Sequence, residues 1–239
     1  MLITNSTLNS TKGAVSAIAN QSALNVNKLT TNANSTILAA GNNVGITASN
    51  LKADNIVIES GANTTINDLT TAAKEIAQIG GTSISSKVNT SVINSTLNST
   101  GNTVMRSDKS LTLTNNDIQS QGIVLKTNTA STLKNTAGIN NTFGNSNGII
   151  VDAANYLTVI DSQTKSTGST SLKSGNLMRV NNSTVDADKH LNINSGNQLV
   201  FNGARTANSN TALTHTVGNT TLKAGQIVSI DSNATQSHQ

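Results

Sequence analysis

The chain has 239 residues, of which 35% are hydrophobic, 1% aromatic and 11% charged, and its formal net charge is +4. Aromatic side chains supply much of the buried area of ordinary globular cores, so their scarcity argues against such a core. The low content of charged residues argues against a disordered chain. One Tyr and two Phe are too few to stack nucleic-acid bases, so no nucleic-acid partner is expected.

The chain contains neither proline nor cysteine. Strands inside a stacked sheet use their N–H groups in hydrogen bonds, so the absence of proline favours many stacked strands. Without cysteine the chain forms no disulfides and no thiolate metal sites. No apolar run approaches the ~18 residues that cross a bilayer, so no transmembrane segment is predicted. Leu2 and Ile3 are followed at once by polar residues, unlike the start of a signal peptide.

Short phrases recur along the whole chain. Asn-Ser-Thr-Leu-Asn-Ser-Thr occurs at residues 5–11 and again at 94–100, and Leu-Lys preceded by Ser or Thr recurs at Leu133, Leu172 and Leu222. Internal repetition of this kind indicates one small structural unit that is stacked many times. Each copy of the heptapeptide is predicted to form one strand with a single inward leucine.

The clearest repeat unit lies at residues 44–58. Its apolar residues alternate with polar ones in three short groups, which are Val44 and Ile46, Leu51 and Ala53, and Ile56 and Ile58. The same pattern returns in two later sets: Leu111, Leu113, Ile118, Ser120, Ile123 and Leu125, and then Met178, Val180, Val185, Ala187, Leu191 and Ile193. Alternation over so few residues predicts very short strands. Three such strands joined by Asn, Ser and Gly corners describe one turn, or rung, of a parallel β-helix.

We therefore predict an all-β protein, a right-handed parallel β-helix whose solenoid is built from three-strand rungs of about 20 residues. Leu157, Met178 and Leu199 are 21 residues apart, which is the spacing expected of successive rungs. Residues 1–239 are predicted to form a single β-helical repeat domain, an internal fragment of a longer solenoid.

Two ranges interrupt the regular spacing. Loop excursions are predicted at residues 68–88 and 138–148, where the alternation is lost. Within the first range, residues 69–79 carry spacing compatible with one or two helical turns. Polar corner residues are predicted to fall at equivalent positions of their rungs and to form hydrogen-bonded ladders; they are Ser49, Asn116, Ser162 and Ser183.

No catalytic, cofactor-binding or metal site is predicted, and the chain is not expected to be an enzyme. The best acid pair is Asp186 with Asp188, near His190. Both carboxylates are expected to be solvated at a corner, and cleavage of a polysaccharide needs further partners around such a pair. His190, His215 and His238 are too dispersed to share a metal ion.

Three further motifs are interpreted as structural. Gly80 and Gly81 lack the surrounding pattern of calcium-binding repeats and predict a turn. Thr112 and Thr114 match the Thr-x-Thr pattern of ice-binding solenoids, but neither they nor residues 70–71 are predicted to recur in register. About a dozen glycosylation sequons are expected by chance in a chain so rich in Asn, Ser and Thr; they include Asn5, Asn34, Asn94, Asn182 and Asn219.

Two phrases carry a family resemblance. One is Thr-Leu-Lys-Ala-Gly at residues 221–225 followed by Val228 and Ile230, and the other is the Ala-Gly-Asn-Asn-Val-Gly-Ile phrase at 40–46 leading into residues 49–53. They resemble the haemagglutinin repeats of very large exoproteins that Gram-negative bacteria secrete by two-partner secretion. That family includes filamentous haemagglutinin, related adhesins of virulence and the effectors of contact-dependent growth inhibition.

The resemblance implies a secreted, cell-surface filament segment that mediates cell contact. Its implied partners are a target-cell receptor, either an outer-membrane protein or a glycan, and an outer-membrane transporter that exports the parent protein. A toxin at the C-terminus of the parent chain is compatible with this role. Two alternatives stay open, a passive β-helical spacer in the filament shaft and a polysaccharide-active enzyme. Ordered excursions would favour receptor binding, because function concentrates on loops over rigid scaffolds; the receptor-binding residues stay unknown.

Overall fold

The computed structural model describes residues 1–73, 81–99, 101–134, 141–187, 189–202, 212–215, 220–224 and 227–231. Within these ranges every regular element is a β-strand, and parallel pairing joins the strands into one 23-stranded sheet. Each strand pairs with the strand one rung earlier or later, and only the long strands β3 and β4, which run around corners, pair with a neighbour in sequence. The sheet therefore winds into a parallel β-helix, which confirms the predicted fold class.

The strands are short in most rungs and run around corners in a few. In the first half they are β1 Leu2–Asn9, β2 Ala14–Ala19, β3 Leu24–Ala40, β4 Val44–Ser60, β5 Thr64–Ala73, β6 Gly81–Ser86, β7 Asn89–Ile93, β8 Thr96–Ser99, β9 Asn102–Ser107, β10 Ser110–Thr114, β11 Asp117–Gln119 and β12 Gly122–Thr127. In the second half they are β13 Ala130–Lys134, β14 Asn141–Ala153, β15 Tyr156–Ile160, β16 Ser162–Ser174, β17 Leu177–Asn181, β18 Thr184–Ala187, β19 Leu191–Ser195, β20 Gln198–Asn202, β21 Ala212–His215, β22 Thr220–Ala224 and β23 Ile227–Asp231.

Strand β4 defines a complete rung. Residues 44–47 form its first face, 49–53 its second and 55–60 its third. We call the bend between the first and second faces the first corner, the next bend the second corner, and the return to the following rung the third corner. Val44 pairs with Leu24 in one neighbouring rung and with Thr64 in the other. Residues at equivalent positions of successive rungs form a column.

The core is a narrow bundle of aliphatic columns. All the inward residues named above for the clearest repeat unit and for its two later copies are buried, as predicted. Leu157, Met178 and Leu199 pair in register and are fully buried. Burial of apolar area contributes roughly 25 cal/mol per Å2, so these columns supply most of the favourable free energy of a rod this narrow.

The two heptapeptides occupy the same position in different rungs. Leu8 and Leu97 belong to one inward column, through the intervening Thr31, Leu51 and Thr71. Leu97 is fully buried, whereas Leu8 is 37% exposed, because β1 has a neighbouring rung on one side only. The repeat thus encodes the first corner and the inward residue that follows it.

The first corner is built on one residue per rung with left-handed backbone. Every non-glycine residue of the described part with positive φ lies there: Asn5, Lys28, Ala48, Asp68, Asn94, Asn115, Asp161 and Asn182. Asn and Asp tolerate this conformation because their short polar side chains bond locally. The recurring Asn of the heptapeptide is therefore explained by backbone geometry.

A ladder of buried polar side chains follows the left-handed residue. The Ser49 hydroxyl donates to the carbonyl of Thr47 at 2.9 Å and accepts the N–H of Leu29 from the neighbouring rung at 3.2 Å. Ser183 accepts the N–H of Ser162 at 3.1 Å in the same way. At the equivalent place Asn116 accepts the N–H of Ser95 at 2.9 Å and donates to the Val92 carbonyl at 2.8 Å. The predicted equivalence of Ser49, Asn116, Ser162 and Ser183, and their ladders, are confirmed.

Replacing Ala48 with asparagine is expected to raise the free energy of unfolding by about 0.5–1 kcal/mol. Alanine has a Cβ but no polar group to offset the roughly 1–2 kcal/mol that the left-handed region costs, and Ala48 is exposed at φ 48°. Denaturant unfolding measures the change. Ala39→Asn, on an outward strand position, is the control and should give no gain; equal effects of the two substitutions would contradict this account of the corner.

Two expectations about local structure need correction. The helical turns predicted at residues 69–79 are wrong for 69–73, which belong to β5, because the inward positions of that strand alternate with period two. Most of the two predicted excursions is also strand: residues 68–73 and 81–86 lie in β5 and β6, and 141–148 lie in β14. Residues 74–80 and 138–140 are outside the described residues.

Candidate functional site

Three rungs are at least five residues longer than the regular ones, and the first rung, in which Leu2 pairs with Asn25 at an interval of 23, is slightly longer. Paired residues in neighbouring rungs are mostly 20 or 21 positions apart, as for Val44 with Thr64. Thr64, however, pairs with Thr90, which is 26 positions later, and Gly122 pairs with Gly148 at the same interval. The third lengthened rung was not predicted from the sequence; there Gln198 pairs with Ile227, 29 positions later.

In these three rungs the additional residues fall at two of the three corners. In the first of them they lie between Ala73 and Gly81, at the second corner. In each of the other two all but one lie at the first corner, between β13 and β14 and between β20 and β21. These segments are outside the described residues, so their expected role as loops stays a prediction. The register places them along two edges of the rod.

Glycines stack directly on backbone at two places of the third corner, whereas the rungs between them have Lys87, Asp108, Asn128 and Ala154 at this position. A Cβ on Gly61 would lie 2.1 Å from the carbonyl oxygen of Gly41, and one on Gly196 would lie 1.9 Å from that of Gly175. Amide side chains follow this corner in a ladder, with Asn63 donating to Asn43 at 3.1 Å and Asn89 donating to Asn63 at 3.2 Å. The three long rungs keep the regular three residues at this corner, as with residues 87–89 between Ser86 and Thr90.

Gly81 opens the third face of the first lengthened rung. Its φ is 154°, and a Cβ there would lie 2.2 Å from the carbonyl oxygen of Asn102 in the next rung. Glycine is thus required by close backbone contact at the start of β6, where the sequence had suggested a turn. A shallow groove of about 200 Å3 lies beside it, lined on the outside by Val57, Ser83 and Val104.

The outward side of the first face carries a column of hydroxyl groups. Thr65, Ser91, Thr112, Thr132 and Thr158 pair in register through five consecutive rungs. The prediction that Thr112 does not recur in register is therefore wrong, since the 26-residue intervals of the lengthened rungs hide the alignment. The neighbouring outward column is mixed, so the face lacks the second regular hydroxyl row of an ice-binding surface; Thr114 is followed there by Lys134 and then Ile160.

The outward side of the third face is aliphatic and charged, whereas that of the first face is rich in hydroxyl groups. Its central column is aliphatic, with Ile37, Val57, Val104, Val124 and Ile150 interrupted once by Ser83. The next outward column carries the charges Glu59, Arg106, Lys126 and Asp152. A groove of about 580 Å3 follows the edge of this face and is lined by residues including Ile18, Ala39, Glu59, Lys87 and Arg106.

The candidate chemical residues are not brought together among the described positions. Asp186 lies in β18, and its backbone pairs with that of Lys165 in β16. The side chain of Asp186 and all of Asp188 lie outside the described part. His190 is exposed, and His215 lies in β21. In the described ranges no group of three or more His, Cys, Asp or Glu side chains is placed to hold a metal ion.

The sequons follow the corners. Asn5, Asn94 and Asn182 are left-handed corner residues, and Asn34 lies at a second corner, whereas Asn219 is outside the described residues. The Asn-Ser pair is therefore accounted for by turn geometry and the ladder hydroxyl. Across the described residues no helix is long and apolar enough to span a membrane.

Comparison with known proteins identifies no relative of this chain. No protein-family description matches it, and neither the curated proteins nor the solved structures contain a significant match.

Proposed function

We propose that this chain is a receptor-contacting segment of an exported surface filament. The proposal rests on the lengthening of three rungs in a regular stack. These rungs carry additional residues at the first and second corners, while their third corner keeps its regular length. A rod with a hydrogen-bonded, tightly packed frame is a rigid base for such segments, and binding residues are concentrated on segments held by rigid scaffolds.

The haemagglutinin-repeat resemblance of the sequence supports the same role. In that setting the segment is secreted, its parent is exported through an outer-membrane transporter, and its target is an outer-membrane protein or glycan on another cell. The rod supplies reach, since each rung adds about 4.8 Å of length. Contact is made at the edges where the rungs lengthen.

A passive spacer is the second candidate. It is favoured by the rungs between Leu24 and Ala73, which repeat at a constant 20 residues and have tight corners. In this case the outer faces need bind nothing, and the additional residues of the later rungs are tolerated because surface insertions cost little in chain entropy.

Shortening the long rungs distinguishes the two candidates. Deleting residues 75–80 brings the interval between Thr64 and Thr90 from 26 to 20, and deletions within 135–140 and 203–210 shorten the other two. At least one deletion is expected to lower binding to bacterial or eukaryotic cells by about tenfold or more, because hot spots concentrate binding energy in few residues. Flow cytometry with labelled protein measures binding.

The control is Lys52→Ala, an exposed outward substitution in a regular rung, which should leave binding unchanged. Circular dichroism and melting curves must show that each deleted protein keeps its β-structure. If all three folded deletions bound cells as strongly as the intact chain, or if the folded intact chain bound no cell surface, the spacer would replace the receptor-contacting role.

A further inference from the structure

The third face carries an aliphatic stripe on the side of the sheet that points away from the core. Five β-branched residues, Ile37, Val57, Val104, Val124 and Ile150, lie in one column over six rungs, about 25–30 Å long at the spacing of parallel strands. All are partly exposed, and Ile150 is 48% exposed. A contiguous exposed apolar patch of this kind marks an interaction surface.

A column of charged residues lies beside the stripe. The adjacent outward column contains, in rung order, Ala39, Glu59, Ser85, Arg106, Lys126 and Asp152. Glu59, Arg106 and Lys126 are exposed. Glu59 lies on one side of the midpoint of the stripe and Arg106 and Lys126 on the other, while the partly buried Asp152 lies at the end beyond Lys126. When the column is reversed end to end, opposite charges therefore come together.

We infer that the third face pairs with the third face of a second copy of this chain, with the two rods antiparallel. A two-fold axis between the rung of Ser83 and the rung of Val104 places these two residues opposite one another. It also places Val57 opposite Val124 of the second copy, and Ile37 opposite its Ile150. Because the contact is isologous, each of these pairs forms twice.

The same axis brings Glu59 opposite Lys126 of the second copy, and Arg106 within one rung of Glu59. In parallel rods a two-fold axis along the aliphatic column would instead bring the charged column against the outward column on the other side of the stripe, which contains Asn55, Gly81, Asn102 and Gly122 and no charge. Complementary charges across an interface favour an arrangement and fix its register. Charge order therefore selects the antiparallel pair.

The area of the third face indicates the class of interface that it can form. Six rungs by one six-residue strand cover roughly 550 Å2 on each copy, or about 1,100 Å2 in total, from the strand dimensions. This lies at the lower end of specific protein interfaces. A reversible dimer with a dissociation constant in the micromolar range or weaker, up to about 1 mM, is expected, because areas at this end of the scale belong to weak, transient contacts. The inference is independent of the receptor-contacting role, since it uses the regular outer face rather than the lengthened corners.

Single cysteines test the geometry directly, because the chain has none of its own. In a mixture of Val57→Cys and Val124→Cys proteins under mild oxidation, the mixed disulfide is expected to form at least about tenfold faster than either homodimer. In the antiparallel pair the two positions face each other, whereas two Val57→Cys residues lie three rungs apart, beyond the ~7 Å between Cα atoms that a disulfide spans. Thr112→Cys on the first face is the control and should form no preferred disulfide with either protein.

Sedimentation equilibrium supplies the second measurement. Glu59→Lys is expected to weaken dimerisation by about tenfold or more, and Glu59→Lys combined with Lys126→Glu should restore it. Thr65→Lys, an exposed change on the first face, should leave dimerisation unchanged. A chain that stays monomeric up to about 1 mM, the weak limit of the expected constant, would overturn the inference. So would Val57→Cys homodimers that form as fast as the mixed disulfide, or a double charge reversal that fails to restore a dimer while the protein remains folded.

Discussion

Replacing Gly61 with alanine is expected to lower the free energy of unfolding by at least about 3 kcal/mol, the upper range for overpacking of a rigid site. The added Cβ would lie 2.1 Å from the carbonyl oxygen and 2.7 Å from the carbonyl carbon of Gly41. Both atoms are backbone, so relief requires a shift of the corner. That shift would disturb the hydrogen bond from the N–H of Gly61 to the Ala40 carbonyl, now 2.9 Å. Thermal and urea unfolding measure the loss.

Gly148→Ala is the matched control. A Cβ there meets the carbonyl oxygen of Ser169 at 3.5 Å, an ordinary contact, and Gly148 lies in strand β14. Because glycine weakens a strand interior, this substitution should be neutral or slightly stabilising. A Gly61→Ala protein that melted at the same temperature as the Gly148→Ala protein would show that the third corner is not held by glycine contact.

The aliphatic rungs could be predicted from the sequence because their inward positions are apolar and alternate with polar ones. Val44, Ile46, Leu51 and Ile56 alternate with polar residues and are all fully buried. Alternation identifies the inward side of a strand whenever that side is apolar. This is why the sequence predicts the rung length and the parallel stacking.

The hydroxyl-rich rungs could not be predicted in the same way. Thr64 and Thr90 are inward and buried, and each is accommodated by a hydroxyl partner across the third corner, Ser60 and Ser86 respectively, at 2.8 Å. Buried hydroxyls are tolerated when they are hydrogen-bonded. A pattern based on hydrophobicity misses such positions, which is why residues 69–79 suggested helical turns.

The outward columns depend on register, which the sequence does not display. Thr65 and Ser91 are neighbours in space although they are 26 positions apart, and Val57 and Ser83 are separated by the same interval. If every rung is assumed to have 20 or 21 residues, these residues are paired with the wrong neighbours. The hydroxyl column and the aliphatic stripe, the two most regular outer features, were therefore missed.

Truncating Leu51 to alanine is expected to lower the free energy of unfolding by about 3–4 kcal/mol, within the usual range for buried leucine. Leu51 is fully buried and lies between Thr31 and Thr71 of the neighbouring rungs. Strand pairing holds those rungs at fixed spacing, so the surrounding side chains cannot close over the cavity. Leu8→Ala in the same column is the control and should cost less than about 1 kcal/mol, because Leu8 is 37% exposed.

The geometry of stacking also predicts how two truncations combine. Each rung contacts only the rungs before and after it, so the stability of the stack is a sum of local terms. Leu51 and the equally buried Leu191 are many rungs apart, and effects at such separations add to within about 0.5 kcal/mol. Leu51→Ala with Leu191→Ala should therefore lose the sum of the two single losses, provided that unfolding remains one transition. Two separate transitions in the double variant would still fit nearest-neighbour stacking, whereas a single transition with a loss far from the sum would contradict it.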